Sequence, residues 1–583
     1  MYYDFTVKIP SIKGKVTKRK IGNILYVYLE VSRVYDPKRK FNIPKRVVIG
    51  KVCKEDDTLM YPNDIYLKLF PDTVVPEERR QAPRSCCLRV GPYVVIDSIV
   101  NEYGLKPLLE KHLGDKAGLA LDLASYMIVN EDNAGQYYPD YAFTHPLFTD
   151  QMRIYSDSSV SRFFSELKQD QIIRFLDDWN KDRDHRQRIY LSYDSTNKNC
   201  QAGDIDIVEF GNAKEDRGLP IVNVGLAYDS TNKVPLFYEQ YSGSINDVSQ
   251  FKCFVDKATE YNYRHIGFIL DRGYFSQSNI RYMDKNGYQF VIMAKGCKDL
   301  VSAVVKEKAG TFETDRGGCI RYYHVYGTTV KKQLYPEDEH KRYFHIYFSA
   351  SKMAAERMEV DNKIDRLENE LKKYEGQEIE ISDYCKHYFD CHYEGKKFLF
   401  AVARNEVIEE ELKLCGYFCI ITSEEMTAQE AFLLYKGRDA SEKLFRADKT
   451  FLGARSLRIH SQDSMSAKHF IEFIALIIRN RIYNLLKEEM LRLGLKRNYM
   501  TVPGAIRELE KIEMVRRNNG IYRLDHAVTK TQRVILNSFG IDMATVKNKV
   551  SGIAVILQNA AEEETTEEKE EFDDDEEEIN CFA

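Results

Sequence analysis

Hydrophobic and polar residues follow different periods in successive parts of the chain. Residues 24–51 hold two runs of β-forming residues, ILYVYLEVSRV and PKRVVIGKV, around the turn-forming YDPKRKFN, a pattern that predicts a β-hairpin. From about 95 to 185, apolar residues recur at helical spacing, as in SRFFSELKQDQIIRFLDDW. We therefore expect a β-rich beginning followed by a small helical domain.

Five apolar runs of strand length follow between residues 186 and 296. They are RIYLSYD, PIVNVGLAYD, PLFYEQYSG, HIGFILD and YQFVIMA, and helical segments follow the third and the fourth run. Three consecutive strands, then strands that alternate with helices, predict a mixed sheet covered by helices, in an order that resembles an RNase H-like core. The predicted fold class is therefore multidomain α/β, with helical domains flanking this core.

A strand-containing insertion is expected to interrupt the core before it resumes with the strand GYFCIIT and two helices. The insertion contains the apolar runs RYFHIYFSA and KKFLFAVA and one amphipathic helix. The domain boundaries that we predict are 1–75 (basic, β-rich), 76–185 (helical), 186–296 (core, first part), 297–412 (insertion), 413–487 (core, second part), 488–560 (helical) and 561–583 (acidic, disordered).

Charge is distributed unevenly along the 583 residues. Residues 562–578 hold thirteen acidic residues and one lysine, so that the formal net charge of −5 becomes +7 without them. Residues 1–51 carry thirteen Lys and Arg against three acidic residues. This asymmetry indicates either a polyanionic partner, with the hairpin as a DNA-facing ribbon, or a solvated surface with a solubilising tail. The charge pattern alone leaves both interpretations open.

The cysteines and the apolar segments bear on the compartment. Twelve cysteines have no repeating spacing, and the first residues, MYYDFTVKIP, lack the apolar core of a signal peptide, which favours an intracellular protein with reduced thiols. The longest apolar stretch, near residues 470–478, is interrupted by Glu472 and is too short to cross a membrane. We expect no membrane partner.

Two aspartates lie where metal ligands would be placed. Asp194 ends the apolar run IYLSYD, and Asp271 ends HIGFILD; a carboxylate at the end of a buried strand opens onto the edge of the sheet. The hexapeptide YDSTNK occurs twice, at 193–198 and 228–233, so Asp229 competes with Asp194. We prefer Asp194, because the second copy leads directly into Pro235 and another strand and is therefore expected to form a hairpin turn.

A third candidate carboxylate lies in a predicted helix over 424–449. Tyr435, Arg438, Glu442 and Lys449 are spaced at 0, 3, 7 and 14 residues, which at about 100° per residue places them within one stripe roughly 60° wide. The pattern Y-x2-R-x3-E-x6-K in YKGRDASEKLFRADK resembles the signature of bacterial insertion-sequence transposases of the DDE type, the insertion-sequence-four superfamily. The resemblance covers residues from about 186 to 480.

The resemblance implies a function and a set of site residues. Asp194, Asp271 and Glu442 would be the catalytic triad and would hold two Mg²⁺ or Mn²⁺ ions, because hard oxygen ligands suit these metals and two ions can activate a nucleophile and stabilise the leaving oxygen of a phosphodiester. Tyr435, Arg438 and Lys449 would contact nucleic acid. The chain would nick the ends of a mobile element and join the freed 3′-hydroxyls to target DNA.

The expected partners are double-stranded DNA, as target and as terminal inverted repeats recognised by the basic region 1–75 and the helical DNA-binding domain 76–185, and further copies of the chain in a homodimer or larger synaptic complex. The expected location is the bacterial cytoplasm, on the nucleoid. Two alternatives remain open: a structure-selective nuclease on the same fold that cuts without strand transfer, and a non-catalytic DNA-binding protein derived from a transposase. The intact signature argues against the second.

Other motifs are set aside. Cys385, His387, Cys391 and His392 follow the spacing C-x-H-x3-C-H, which fits no common structural zinc site, so ordinary packing is favoured. No His-x-x-Arg pair precedes a clear nucleophilic tyrosine, which disfavours a tyrosine recombinase. No GxxxxGK[ST] phosphate loop is present, so we expect no nucleotide-hydrolysing motor.

Overall fold

The fold divides into two compact units, Met1–Ala82 and Pro83–Ala583. The structure is a computed structural model that describes residues 3, 5–12, 14–21, 24–36, 40–53, 56–71, 73, 84–181, 188–202, 205–213, 218–245, 247–263, 265–294, 298–438, 443–444, 449–450, 452–453, 456–457, 459, 461–494, 500–516 and 521–560. The predicted acidic tail, 561–583, therefore lies outside the described residues.

The first unit is an antiparallel sheet of five strands in the order β1-β5-β4-β3-β2. A small apolar core of Val27, Leu29, Ile49, Met60 and Tyr66 covers one part of it. The predicted hairpin is confirmed, because β3 and β4 pair along their length. The elements are β1 (Val7–Lys8), β2 (Val16–Ile21), β3 (Ile24–Asp36), β4 (Phe41–Val52), β5 (Leu59–Pro62) and α1 (Asp64–Leu69).

The second unit begins with a short strand and a group of helices, which confirms the predicted helical segment. Residues 117–128 of α4 (Ala117–Asn130) are all buried, which places this helix in the main hydrophobic core rather than on the surface. The elements are β6 (Cys87–Arg89), α2 (Gly91–Glu102), α3 (Leu105–Leu113), α4 (Ala117–Asn130), α5 (Tyr138–Thr144), α6 (Asp157–Glu166) and α7 (Gln169–Lys181).

A large mixed sheet follows, and its strand order is β12-β13-β14-β17-β11-β10-β7-β8-β9, with β18 (Ser456–Leu457) pairing on β7. The β7, β8 and β9 strands form an antiparallel meander, whereas β7, β10 and β11 are parallel neighbours. The five strands predicted between residues 186 and 296 are all present. They are β7 (Ile189–Cys200), β8 (Ile221–Asp229), β9 (Val234–Ser242), β10 (Ile266–Leu270) and β11 (Gln289–Met293).

The sheet continues beyond β11 with strands from later in the sequence. Three of them come from the stretch predicted as an insertion, and β17 joins them to β11 by antiparallel pairing on both of its sides. These strands are β12 (Cys319–Ile320), β13 (Val325–Gln333), β14 (Lys341–Phe348) and β17 (Tyr417–Thr422). The rest of that stretch comprises α10 (Lys298–Lys308), α11 (Ala350–Tyr374), α12 (Asp383–Tyr388), the hairpin β15 (Phe389–Glu394) and β16 (Lys397–Ala403), and α13 (Asn405–Lys413).

Helices cover both faces of the sheet around β7. One face packs on α8 (Asp247–Glu260), where the rings of Phe237 and Phe254 lie 5.2 Å apart, and on α9 (Gln277–Lys285). The opposite face packs on α14 (Ala428–Lys436) and on the long α15 (Gln462–Arg492), where Tyr238 meets Phe473 at 5.2 Å. The predicted mixed sheet covered by helices is confirmed.

The C-terminal part returns to the beginning of the second unit. Its elements are α16 (Val502–Leu509), β19 (Glu513–Arg516), β20 (Tyr522–Leu524), α17 (Lys530–Ser538) and a helix over 543–560. The β19 strand pairs with β20 on one side and with β6 on the other, so residues far apart in sequence share a three-stranded sheet. No helix in the part of the chain that the structure describes is long and apolar enough to cross a membrane.

A buried histidine in β14 makes stability depend on pH. His345 is fully buried between the hydroxyls of Thr329 and Thr422, at 2.9 Å from each, and burial lowers its pKa from 6.5 to about 4. Between these values the unfolded chain binds a proton that the folded chain does not, so stability falls as the pH falls. We expect His345 to cost about 2 kcal/mol between pH 7 and 5.

Urea unfolding at both pH values measures this effect. The His345→Gln variant is the reference, because its amide keeps hydrogen-bonding atoms but does not titrate. An equal loss of stability in the variant and in the native chain would show that His345 is not the group responsible.

Candidate active site

Asp194 and Asp271 lie side by side on neighbouring parallel strands. Asp194 is inside β7, and Asp271 directly follows β10, whose last residue Leu270 pairs with Tyr193. The two aspartates are therefore next to each other on the same face of the sheet, since alternate residues of a strand face opposite sides. Their side chains are 17% and 35% exposed, so the carboxylates open to solvent.

Tyr193, the residue before Asp194, packs on the opposite face of the sheet and holds β7 in place. Tyr193 is fully buried and stacks on Phe254 with ring centroids 3.9 Å apart and planes at 23°. Its ring lies over Gly225 of β8, where a Cβ atom would approach the Tyr193 hydroxyl oxygen to 2.4 Å, so only glycine fits there. This packing sets the direction in which Asp194 points.

The two copies of YDSTNK have different structures. The first copy, 193–198, is extended along β7, whereas the second, 228–233, ends β8 and turns into β9. There Asp229 is buried and accepts hydrogen bonds from the backbone of Thr231 and Asn232 at 2.8 and 3.0 Å and from the Asn232 amide at 2.6 Å. The predicted hairpin turn is confirmed, and the Asp229 carboxylate serves the turn.

Two residues of the signature contact this pair of aspartates. Arg438 places Nη1 3.9 Å from a carboxylate oxygen of Asp194 and 3.9 Å from one of Asp271. The Tyr435 hydroxyl donates a long hydrogen bond of 3.5 Å to Asp271, and the Arg438 guanidinium lies 5.6 Å from the centre of the Tyr435 ring. The structure thus brings together four of the six residues that the sequence predicted.

The helix that carries the signature differs from the prediction. A single helix over 424–449 is wrong, because α14 begins after the Thr427 cap and ends at Lys436, so that Arg438 lies just beyond it. Thr427 and Glu430 form a reciprocal capping box, which stops the helix from starting earlier. Gly437, a poor helix former, directly follows the last helical residue.

The other two predicted site residues are Glu442 and Lys449. Glu442 lies outside the described residues, as do 439–441 and 445–448, and Lys449 is partly buried in a short helical segment. Within the residues that are described, no three His, Cys, Asp or Glu side chains form a group that could hold a metal ion. The described part of the site therefore comprises two carboxylates, a guanidinium and a phenol.

The charges of Asp194 and Asp271 suit a hard cation. Two partly exposed carboxylates on adjacent strands offer oxygen ligands on the solvent side, and oxygen ligands are those that Mg²⁺ and Mn²⁺ prefer. Arg438, with its side chain only 11% exposed, supplies the neighbouring positive charge and limits the repulsion between the carboxylates.

A buried ion pair below the site was not predicted. Lys198, four residues along β7 from Asp194, contacts Glu472 of α15 at 2.6 Å, and both side chains are 2% exposed. His469 lies 3.9 Å from Glu472, and burial together with the Lys198 charge lowers the pKa of His469 to about 3. The sequence did contain a hint, since Glu472 interrupts the longest apolar stretch and buried charges need partners.

The Cys/His cluster set aside above is divided among different contacts. Cys385 is buried in the small core beneath α11, and Cys391 donates from Sγ to the Phe389 carbonyl oxygen at 3.8 Å. His392 stacks on Phe400 at 4.6 Å, and His387 packs edge-on against the neighbouring Tyr388. These contacts are those of ordinary packing.

The segment that holds these site residues is similar to a known protein family. Residues 191–478 match the family model of the transposase DDE domain. The matched segment, just under half of the chain, begins in β7, ends in α15 and includes Asp194, Asp271 and Arg438. The match supports a DDE transposase.

One similar solved structure is the cryo-EM structure of a piggyBac transposase synaptic complex with hairpin DNA. It is 10% identical over 55% of this chain and 51% of that chain, with a TM-score of 0.27. The chain thus spans about half the length of that transposase. No curated protein sequence is significantly similar to this chain.

Proposed function

We propose that the chain is a DDE transposase that binds the terminal inverted repeats of a mobile element, cleaves DNA at the element's ends and joins the 3′-hydroxyl ends to target DNA. The observation that carries this proposal is the contact of Arg438 with both Asp194 and Asp271, at 3.9 Å from each. If this segment were only a solvated surface, there would be no reason for the arginine that follows α14 to lie close to two carboxylates of separate strands.

The proposed catalytic core is RNase H-like. The antiparallel meander β9-β8-β7, followed by the parallel neighbours β10 and β11, supports this assignment, because it places Asp194 and Asp271 on adjacent central strands. Helices on both faces bury the strands and leave the two carboxylates at the solvent side. Glu442 is proposed as the third catalytic carboxylate from the signature alone.

The chemistry that we propose uses two divalent metal ions, Mg²⁺ or Mn²⁺. Asp194, Asp271 and Glu442 would hold them, and when bound they would supply Lewis-acid stabilisation of charge on the attacking and leaving oxygens. Arg438, beside both carboxylates, and Tyr435, beside Asp271, would hold a phosphate oxygen and orient the phosphodiester, and Lys449 would contact the DNA backbone farther along. This division of roles leaves the carboxylates free to serve the metals.

The wider assignments are also proposals. Cleavage at two ends and joining to a target require duplex DNA in both roles and a homodimer or larger synaptic complex. We propose a location on the bacterial nucleoid in the cytoplasm. The helical segment 76–185 is proposed as part of the surface that recognises the terminal repeats; its helices α4, α6 and α7 pack on α15.

A joining assay tests the proposal. We expect the full chain with Mg²⁺ to cleave an uncut duplex that carries the element's end and to insert pre-cleaved ends into a supercoiled plasmid, and we expect chelation by EDTA to abolish both cleavage and joining. Gel electrophoresis of the labelled duplex measures the cut product, and gel electrophoresis of the plasmid measures the joined product.

Each outcome of this assay has a distinct meaning. Cut product without joined product in Mg²⁺ or Mn²⁺ would identify a nuclease and overturn the transposase assignment. Specific binding of the element's ends with neither product would identify a non-catalytic DNA-binding protein. A chain that cleaves equally well in EDTA would contradict the metal-dependent mechanism.

A further inference from the structure

The first unit carries a two-stranded extension of its sheet. The β2 strand pairs with β3 only over residues 24–29, and β5 pairs with β4 only over 50–52. Residues 30–36 of β3 and 41–46 of β4 pair with each other beyond these limits. We name these residues the β3–β4 ribbon. At about 3.3 Å per residue it is roughly 20 Å long.

The ribbon is exposed on both faces. All five residues from 31 to 35 are exposed, although a strand packed on a core would bury every second one. The pairing places Val34, Phe41 and Ile43 on one face, and Val34 and Phe41 are 60% and 52% exposed. Adjacent apolar side chains in water indicate a surface that meets a partner.

The charge of the ribbon indicates what that partner is. Residues 30–46, which comprise the ribbon and the four residues between its two strands, hold six Lys and Arg against two acidic residues, a net charge of +4. One of the acidic residues, Glu30, is buried at the base, where it contacts Arg33 at 2.6 Å and Arg46 at 4.0 Å. Apart from these three residues, the segment 30–46 holds Lys38, Arg39, Lys40 and Lys45 against Asp36, and this net positive charge complements a polyanion.

A second protein strand is a poor match for this surface. Pro44 offers no backbone N–H, and the charged side chains on the same strand discourage a further strand from pairing. By contrast, the major groove of B-DNA, about 12 Å wide, admits a two-stranded β-ribbon, and apolar side chains can contact thymine methyl groups there. Lysines along the ribbon can reach the flanking phosphates.

We propose that the β3–β4 ribbon enters the major groove of duplex DNA. The face of Val34, Phe41 and Ile43 lies against base edges, and Lys40 and Lys45 contact phosphates. This inference rests on the proposed function only in that the ligand is duplex DNA, and it assigns a binding element outside the segment that matches the transposase DDE domain.

Binding of the full chain to a fluorescent duplex of arbitrary sequence tests the phosphate contacts. In the Lys40→Gln/Lys45→Gln variant we expect affinity to fall about tenfold near 0.1 M salt and the slope of log K against log salt to fall by about 1.8, since each phosphate contact contributes about 0.9. The matched control, Lys285→Gln/Lys547→Gln, removes two exposed lysines from the second unit and should leave the slope unchanged.

Two further measurements test whether the ribbon binds in the major groove. Phe41→Ser should weaken binding without changing the salt slope, because no charge is lost. A duplex whose major groove is filled by glucosylated cytosines should bind the native chain more weakly, whereas a minor-groove ligand such as netropsin should not compete.

The proposal is overturned if the ribbon variant keeps the native affinity and slope, or if filling the major groove has no effect. It is also overturned if the variant changes only the mass measured by light scattering, which would assign the ribbon to a contact between copies. Ribbon variants that still cleave at saturating protein leave the proposed function intact. A native chain that binds through the ribbon but never cleaves would overturn the proposed function alone.

Discussion

Asp271→Asn and Asp194→Asn each reduce metal-dependent cleavage of the element's end by at least about 10³-fold, a loss of roughly 4 kcal/mol in transition-state stabilisation. The amide has the shape of the carboxylate but lacks its charge, so the pair can no longer hold divalent cations beside Arg438. Duplex binding should stay within a few-fold of native, because the carboxylates themselves repel DNA. Single-turnover cleavage on a labelled duplex, with binding measured separately, checks both statements.

Asp229→Asn is the matched control for this experiment. Asp229 occupies the same position in the second YDSTNK copy, and its carboxylate accepts hydrogen bonds within the turn. An asparagine oxygen can still accept two of them, so cleavage should remain within a few-fold of native. If Asp229→Asn abolished cleavage and Asp194→Asn did not, the wrong copy of the hexapeptide would have been assigned.

Glu472→Gln should destabilise the fold by about 3–5 kcal/mol, since it leaves the Lys198 ammonium buried and unpaired. Both side chains are 2% exposed, and their atoms are 2.6 Å apart. The Lys198→Met/Glu472→Met variant removes both charges at once, so we expect it to regain most of that loss. Urea unfolding at pH 7 measures all three chains.

The second hexapeptide copy supplies the control. Its lysine, Lys233, pairs with Glu488 of the same helix at 2.8 Å, but both side chains are about half exposed. Glu488→Gln should therefore cost at most about 1 kcal/mol. Equal effects of Glu472→Gln and Glu488→Gln, or a double methionine variant no more stable than Glu472→Gln, would show that burial does not set the strength of the first pair.

Much of the fold was predictable because local sequence patterns determine its helices and strands. The five apolar runs that became β7 to β11 each have the length of a strand, and their succession with helices limits the sheet to a few arrangements. The continuation of that sheet through β14 and β17 was not predictable. Residues 341–348 and 417–422 pair across a long interval of sequence, and no local pattern encodes such a pairing.

The candidate site was predictable to a similar degree. Strand ends and a spaced signature indicated Asp194, Asp271, Tyr435 and Arg438, and their contacts are consistent with that prediction. Two identical hexapeptides, one extended and one turning, show the limit, because their own six residues cannot distinguish them and only the nearby Pro235 favoured a turn for the second copy. In the structure their pairing distinguishes them: the first copy pairs along its whole length with β8, and the second leads from β8 into β9.

The 31 residues of α15 constrain how this chain can change in length during evolution. At 1.5 Å per residue the helix is about 46 Å long. It holds β7 through Glu472, and it holds the β8–β9 turn through the amides of Asn480 and Asn484, which donate to the Lys233 carbonyl oxygen. One residue inserted between Glu472 and Asn480 would rotate the second attachment by about 100° relative to the first. Lineages can therefore lengthen the surface loops, whereas the spacing within α15 must be inherited unchanged for the meander to stay in register.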